Sequence, residues 1–179
     1  MNAQAAGRTI TQATSRAIFD DALCAYQDPA HPCHHFRWLQ AGVSDDSWQL
    51  PEPFNGHSAN SGIVLLGLNP SYDPLEDVPT IRSSFEQWDG YYRARFDREI
   101  RHWHKLYRRY QTVGEMATSP GFQLGVDGMV LEVVRFRSAS ARGCSEAVLE
   151  HELPTTRRLL SELARSATSD SDRDAAAGH

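Results

Sequence analysis

A short polar segment that follows the most apolar run of the chain is the best candidate for chemistry. The run Gly62-Ile-Val-Leu-Leu-Gly-Leu68 ends at Asn69-Pro70. A continuous apolar run of this length predicts a strand that is buried on both faces. Open α/β sheets bind ligands beyond the carboxyl ends of their strands, so residues after this run are placed for chemistry. The alternative is that Asn69-Pro70 is an ordinary turn that ends a strand.

The segment Gly67-Leu-Asn-Pro-Ser71 resembles the first motif of the uracil-DNA glycosylase superfamily. In the mismatch-specific branches that motif reads G-I-N-P-G or G-M-N-P-G after a hydrophobic strand, so Ser71 stands where the family has its second glycine. Leu131-Glu-Val-Val-Arg-Phe-Arg137 is similar to a later family strand of the T-N-A-V-K-C-R-P-P type. The order and spacing match the family over residues 60 to 164. The resemblance implies a three-layer αβα fold with a short parallel sheet, incomplete relative to the family.

The resemblance also implies a reaction, which is hydrolysis of the N-glycosidic bond of a damaged base flipped out of DNA. Asn69 would then be the catalytic residue, because its side-chain amide can hold the attacking water. Phe85 would stack on the flipped base. The other substrate-binding positions implied by the motif are Gly67, Leu68, Pro70, Ser71 and Tyr72. DNA is the expected partner, and no cofactor or metal is expected.

The family's second catalytic motif is not found in the sequence. In the family, a further strand and helix lead to a histidine-bearing H-P-S motif that grips the uracil carbonyl and wedges the DNA. Nothing after Ala164 matches that motif. The sequence therefore predicts a domain that is truncated on its C-terminal side and whose activity is doubtful. The alternative is an inactive fragment, or an α/β domain that binds nucleic acid or a partner without chemistry.

One helix is predicted near the N-terminus, and a second is predicted after the candidate motif. The first runs through Ser15 to Tyr26 and ends near Asp28-Pro29, because proline does not continue a helix. The second has Ser84 as its N-cap and can continue through Trp103 to Leu106. The stretch between them, 30 to 61, reads as irregular with one short helix at 36 to 40.

A second strand and a last helix are predicted on the C-terminal side. Residues 129 to 136 are apolar and β-branched, which favours a strand. Residues 114 to 128 are glycine-rich and are predicted to form a loop. A helix begins near Ser145 and is bent or restarted at Pro154. The predicted domain covers residues 12 to 164, between disordered segments at 1 to 11 and 165 to 179.

Several residues have a structural explanation as well as a functional one. Aromatic residues at helical spacing pack a helix onto a sheet by default, and here they are Phe85, Trp88, Tyr92 and Phe96. Glu132 lies in an apolar strand, so it either pairs with an arginine, which is favoured, or faces the site. The basic residues between Arg93 and Arg109 are predicted to be a solvated face, with DNA contact as the less favoured alternative.

Composition limits the remaining possibilities. The net charge of -5 argues against binding nucleic acid through bulk charge, although a local basic face is compatible with it. His31, Cys33, His34 and His35, with Cys24, have side chains that zinc can bind, but adjacent histidines do not converge easily and the usual cysteine spacing is absent. Three cysteines favour a reducing cytoplasm, and no apolar stretch is long enough to span a membrane, which predicts a soluble protein.

Overall fold

Four α-helices and a small sheet make up the part of the chain that the structure describes. The computed structural model describes residues 8–40, 47–60, 62–68, 70, 77–97, 100–102, 105–118, 120–137 and 145–176. The helices are α1 (Gln12–Gln27), α2 (Phe85–Arg93), α3 (Lys105–Ala117) and α4 (Glu146–Ala176). The strands are β1 (Phe54–Asn55), β2 (Ile63–Gly67) and β3 (Gly128–Glu132). Short 3-10 helices lie at His34–Leu39, Ala94–Phe96 and Ile100–His102.

The sheet is mixed, with the strand order β1-β3-β2. β2 runs parallel to β3, and Gly67 lies opposite Glu132. β1 pairs with β3 in the antiparallel direction. The α/β class is therefore confirmed, but the purely parallel sheet was a wrong prediction. The reason is that β1 forms within a proline-containing segment that has no strand pattern of its own.

The apolar run at the candidate motif forms an edge strand of this sheet. Within the described residues β2 pairs only with β3, and Leu66 and Leu68 are 51% and 56% exposed. Every residue of β3 is buried, because β3 has a neighbour on each side. The expectation that residues 62 to 68 are buried on both faces was therefore wrong. An apolar run indicates a buried strand, but it does not reveal which strand of a pair takes the central position.

Helices pack on both faces of the sheet. Met129 and Leu131 belong to the larger core, which also contains residues of α1, α2 and α4. Val130 belongs to a second cluster with Phe122 and with Tyr107 of α3. Because side chains alternate along a strand, Glu132 lies on the same face as Val130, toward α3.

The start of α1 is held by a side chain from the last helix. Thr11 caps α1 by accepting a hydrogen bond from the Thr14 backbone N–H. The Glu162 carboxylate of α4 accepts from the Thr11 backbone N–H at 3.1 Å and from the Thr14 hydroxyl. Ile10, which lies in the segment predicted to be disordered, is only 2% exposed. The structure confirms the predicted end of α1, with Asp28 as its C-cap.

The second helix is shorter than predicted. Ser84 caps α2 in a capping box with Gln87, as two reciprocal hydrogen bonds show, so the predicted start is confirmed. However, α2 ends at Arg93 and does not continue to Leu106. α3 then extends through Gly114, which was predicted to start a loop. A Cβ at Gly114 would lie 2.1 Å from the Phe122 ring, so close packing explains this glycine.

The last helix is longer than predicted. α4 runs without interruption through Pro154, and it continues to Ala176, where the sequence predicted disorder from residue 165. Val148, Leu159 and Leu163 anchor it in the core on both sides of Pro154, which offsets the backbone hydrogen bond that a proline cannot donate. Across the described residues, none of the helices combines the length and the apolar character that a membrane crossing requires.

Candidate functional site

The candidate motif leaves the carboxyl end of β2. Gly67 is the last residue of that strand, Leu68 is exposed, and Pro70 is buried. Asn69, Ser71 and Tyr72 lie outside the described residues, so their predicted catalytic and binding roles stay predictions. Gly67 and Leu68 accept hydrogen bonds from the backbone N–H groups of Val133 and Val134, both at 2.9 Å. The segments that follow β2 and β3 therefore leave the same edge of the sheet.

Gly67 lies directly against the Glu132 carboxyl group. A Cβ built at Gly67 would be 2.2 Å from Glu132 Oε2 and 2.5 Å from Cδ. Any side chain here would displace that carboxyl group. Steric contact therefore explains why the motif has a glycine at position 67, which the sequence alone did not reveal. The glycine leaves room for the Glu132 side chain of the neighbouring strand.

We expect Gly67→Ala to lower the free energy of unfolding by roughly 1–2 kcal/mol, because the methyl group overpacks a buried carboxyl. In the double variant Gly67→Ala/Glu132→Ala the carboxyl is gone, so the methyl group no longer overpacks it. The effects of the two single substitutions on the free energy of unfolding should therefore be strongly non-additive. Gly90→Ala in α2 is the matched control, since a Cβ there meets nothing within 4 Å. Denaturant unfolding of the parent chain, Gly67→Ala, Glu132→Ala and the double variant measures the coupling, and additive effects would contradict the contact.

Glu132 is a buried acid with an unsatisfied oxygen. Its side chain is 3% exposed, and Oε2 has no hydrogen-bond partner among the described atoms. Burial, with a smaller contribution from the charge of Glu52, raises the pKa of Glu132 to about 8. The sequence favoured an ion pair between Glu132 and an arginine. No such pair is among the described contacts, because Arg137 pairs with Glu52 instead. Glu132 is therefore a neutral carboxylic acid near neutral pH, which can donate a hydrogen bond.

Four other buried polar side chains lie near Glu132. We call the five residues together the carboxyl-edge cluster: Glu52, Asn55, Tyr107, Glu132 and Arg137. The Glu52 carboxylate accepts from the Asn55 amide at 2.6 Å, from the Tyr107 hydroxyl and from the Arg137 guanidinium. Burial alone would raise the pKa of Glu52, but the guanidinium groups of Arg137 and Arg95 hold it below its usual value. Asn55 Oδ1 is also buried without a described partner.

The two unsatisfied oxygens suggest that this cluster contacts something besides the described residues. Buried polar atoms in native proteins nearly always have a partner, which is protein, water or ligand. Here the unsatisfied atoms are an acid that can donate and an amide oxygen that can accept. They lie next to the carboxyl ends of β2 and β3, where α/β sheets place their ligands.

Phe85, the predicted base-stacking residue, lies in the hydrophobic core. It is 3% exposed, and its ring centroid is 5.7 Å from that of Phe19. The Arg16 guanidinium covers the ring at 3.7 Å. The packing explanation is therefore confirmed for Phe85, and also for Trp88, Tyr92 and Phe96, which are buried. Stacking of Phe85 on a base stays a prediction that requires Arg16 to move.

The described basic residues from Arg93 to Arg109 divide into two groups. Arg93 forms a hydrogen-bonded ion pair with Asp89 at 2.8 Å, and Arg95 lies over the rings of Tyr91 and Tyr107. A second group is exposed to solvent near the start of α3: Arg101, Lys105, Arg108 and Arg109. Tyr107 lies between them in sequence and faces inward, so α3 presents basic side chains outside and a cluster residue inside.

An open groove of about 700 Å³ lies away from the motif. It is lined by residues that include Phe96, Gln111, Phe122 and Val126. Leu124 in its wall bridges to Gly128, the first residue of β3, so the groove is at the opposite end of that strand from Glu132. Among the described residues, none of the predicted site residues lines this groove.

A second cluster of reactive side chains lies where α1 and α4 meet the turn after α1. We call it the His-Cys cluster, and its members are Asp21, His31, Cys33, His151 and Glu152. The Cys33 thiol donates to Glu152 Oε1 at 3.7 Å, and the Cys33 backbone N–H donates to His31 Nδ1 at 3.1 Å. Asp21 contacts both histidines, with His31 Nε2 at 3.3 Å and His151 Nε2 at 3.4 Å.

Arg135 links the two acids of the His-Cys cluster. Its Nη2 donates to Asp21 at 2.8 Å and to Glu152 at 2.6 Å, and its Nε donates to the other Glu152 oxygen at 2.6 Å. Burial, with a further contribution from the charge of Glu152, raises the pKa of the Cys33 thiol. The cluster is therefore a charged network in a site where Cys33, Glu152 and Arg135 are almost fully buried.

Sequence reasoning found only part of the His-Cys cluster. His34 contacts the Ala25 carbonyl oxygen, His35 contacts the Pro32 carbonyl oxygen, and Cys24 is exposed, so these candidates do not join it. His151, Asp21 and Glu152 were missed, because no local spacing connects them to residue 31. Their convergence follows from the packing of α4 against α1.

No family model, no curated protein and no solved structure matches the chain.

Proposed function

We propose that the chain hydrolyses the N-glycosidic bond of an extruded pyrimidine base in DNA, as enzymes of the uracil-DNA glycosylase type do. The observation that carries the proposal is the position of the buried, unsatisfied Glu132 carboxyl group against Gly67 of the candidate motif. The proposal combines this geometry with the resemblance of the motif, and Asn69 is its proposed catalytic residue.

The proposed reaction needs a positioned water and a donor for the departing base. Water attacks C1′ of the sugar while the bond from C1′ to the base nitrogen breaks, and the water proton passes to solvent. The electron pair of that bond stays on the base, where its charge spreads to the carbonyl oxygens. Asn69 holds the water, and the neutral Glu132 carboxyl donates a hydrogen bond to a base carbonyl. Glu132 thereby supplies the donor that the family takes from its histidine-bearing motif.

Contact with DNA is proposed for the exposed basic residues near the start of α3. Lys105, Arg108 and Arg109 are on the helix whose inward-facing Tyr107 hydrogen-bonds in the carboxyl-edge cluster, and Arg101 lies in the 3-10 helix that precedes it. Phosphate groups bound there would lie close to the site, and local basic groups bind phosphate even on a protein with net negative charge. The same residues support the second candidate, a domain that binds nucleic acid without chemistry.

The proposal predicts strand breakage at uracil. We expect the full chain to convert a G·U duplex, or a single strand containing uracil, into a product that alkali cleaves at that position. Asn69→Ala and Glu132→Ala should each lower the rate by about 100-fold or more, since each removes a positioned group. Glu132→Gln keeps a donor at every pH, so the rate loss of the parent above about pH 8 should disappear in this variant.

Glu150→Gln is the matched control, because it changes an exposed acid of α4 and should leave the rate and the pH profile unchanged. Cleavage that persists in Asn69→Ala would contradict the proposed reaction. Intact DNA that is nevertheless retarded in a mobility-shift assay would support the non-catalytic candidate. Intact DNA without retardation would contradict both.

A further inference from the structure

We propose that the His-Cys cluster is a zinc site with His31, Cys33 and His151 as its protein ligands. One ligand atom from each residue lies within 4.8 Å of the other two. Two imidazoles and a thiolate are the ligands of Zn²⁺, whereas Mg²⁺ and Ca²⁺ prefer oxygen ligands. The inference does not depend on the proposed glycosylase function, because none of these residues belongs to the carboxyl-edge cluster.

A carboxylate oxygen is available for the fourth position. Glu152 Oε1 is 3.7 Å from Cys33 Sγ and 3.8 Å from His151 Nε2. In a tetrahedral zinc site such pairs of ligand atoms are about 3.3–3.5 Å apart, given bonds of about 2.3 Å to sulfur and about 2.0 Å to nitrogen or oxygen. These two separations from Glu152 Oε1 therefore have to shorten by less than about 0.6 Å, which side-chain rotation can provide.

One of the two hydrogen bonds of His31, the one to Asp21, can be kept when a metal binds. Because the Cys33 backbone N–H donates to Nδ1, the neutral ring carries its proton on Nε2 and donates it to Asp21 Oδ1 at 3.3 Å. Zinc would take the place of the backbone N–H at Nδ1, and Asp21 would keep its hydrogen bond to Nε2. Metal-bound histidines commonly donate their second nitrogen to a carboxylate in this way.

The charges of the site balance when zinc is bound. Asp21 and Glu152 carry two negative charges, and Arg135 neutralises one of them. When the sulfur–zinc bond forms, the Cys33 thiol releases its proton to solvent and becomes a third negative charge. The two positive charges of Zn²⁺ then compensate the remaining two. The side chains of His151 and Asp21 are 28% and 31% exposed, so an ion can enter from solvent.

The test is metal binding by the full chain after treatment with a chelator. We expect about one Zn²⁺ per chain. We also expect the Co²⁺ form to show a near-ultraviolet thiolate-to-cobalt charge-transfer band together with the visible bands of tetrahedral coordination. Cys33→Ser should remove the charge-transfer band and weaken zinc binding by more than about 100-fold, since loss of an outer partner alone costs 10- to 100-fold.

Matched variants separate this site from other thiols and histidines. Cys24→Ser changes an exposed thiol of α1 and His35→Gln changes a neighbouring histidine, so both should bind zinc as the parent does. His151→Gln changes a partly exposed side chain and should lose the metal while its circular dichroism stays that of the parent, which decides the question if Cys33→Ser fails to fold. A folded parent without the charge-transfer band, or a band that survives in Cys33→Ser and His151→Gln, would overturn the proposal.

Discussion

Between about pH 4 and about pH 8, the stability of Glu132→Gln relative to the parent chain is expected to rise by roughly 4 kcal/mol. The ordinary pKa of the Glu132 carboxyl is 4.5, and burial raises it to about 8 in the folded chain. Below the ordinary pKa of 4.5, the Glu132 carboxyl is protonated in both the folded and the unfolded chain, so its titration does not change the free energy of unfolding. As the pH rises toward the folded value, only the unfolded chain releases the proton, so the parent loses stability.

The amide that replaces the carboxyl in Glu132→Gln does not titrate, so the variant is spared this loss. Denaturant unfolding at a series of pH values measures the difference between the two chains, and all other titrating groups are common to both. Glu150→Gln, at an exposed position, should follow the parent at every pH. Parallel stability curves for Glu132→Gln and the parent would show that Glu132 is not neutral in the folded chain. Together with the loss of activity expected for Glu132→Ala, this result would identify Glu132 as an acid that is retained at the expense of stability.

The largest loss of stability is expected for Arg135→Met, at about 3–5 kcal/mol. Arg135 is 1% exposed and holds both oxygens of Glu152, which is 0% exposed. In the metal-free chain without the guanidinium, the Glu152 carboxylate is left buried next to the second acid, Asp21, with no arginine to neutralise it. Removal of one partner of a buried ion pair is therefore expected to cost far more than the pair itself contributes.

Two variants provide the comparison for Arg135→Met. The double variant Arg135→Met/Glu152→Leu removes both charges and should recover much of the loss. Arg16→Met breaks an ion pair with Glu86 whose side chains are 47% and 70% exposed, and should cost less than about 1 kcal/mol. Urea unfolding measures all three. A cost for Arg135→Met as small as that for Arg16→Met would contradict the buried network.

Elements with a strong local signal were predictable from the sequence. The Ser84 capping box, the end of α1 before Pro29 and the apolar cores of β2 and β3 are encoded within a few residues each. The parallel pairing of β2 with β3 also followed, because a long crossover that contains helices separates them. Local patterns decide such features because the interactions that form them are local.

Features that depend on contacts between distant residues were not predictable. β1 is defined by its pairing with β3, and β2 is partly exposed because, among the described strands, it pairs only with β3. The same applies to the candidate sites. The motif pointed to Gly67, but only the register of the sheet brings Glu132 to it, and only helix packing brings His151 to Cys33.

The carboxylate of Glu162 makes α1 and α4 depend on each other. α1 has no acidic residue in its own first turn, so the negative charge that favours a helix N-terminus comes from a residue about 150 positions later. Fraying at the beginning of α1 would take the Thr11 and Thr14 donors away from Glu162, and loosening the middle of α4 would take the Glu162 acceptor away from the Thr11 N–H and the Thr14 hydroxyl. The two helices should consequently open to solvent exchange as one cooperative unit.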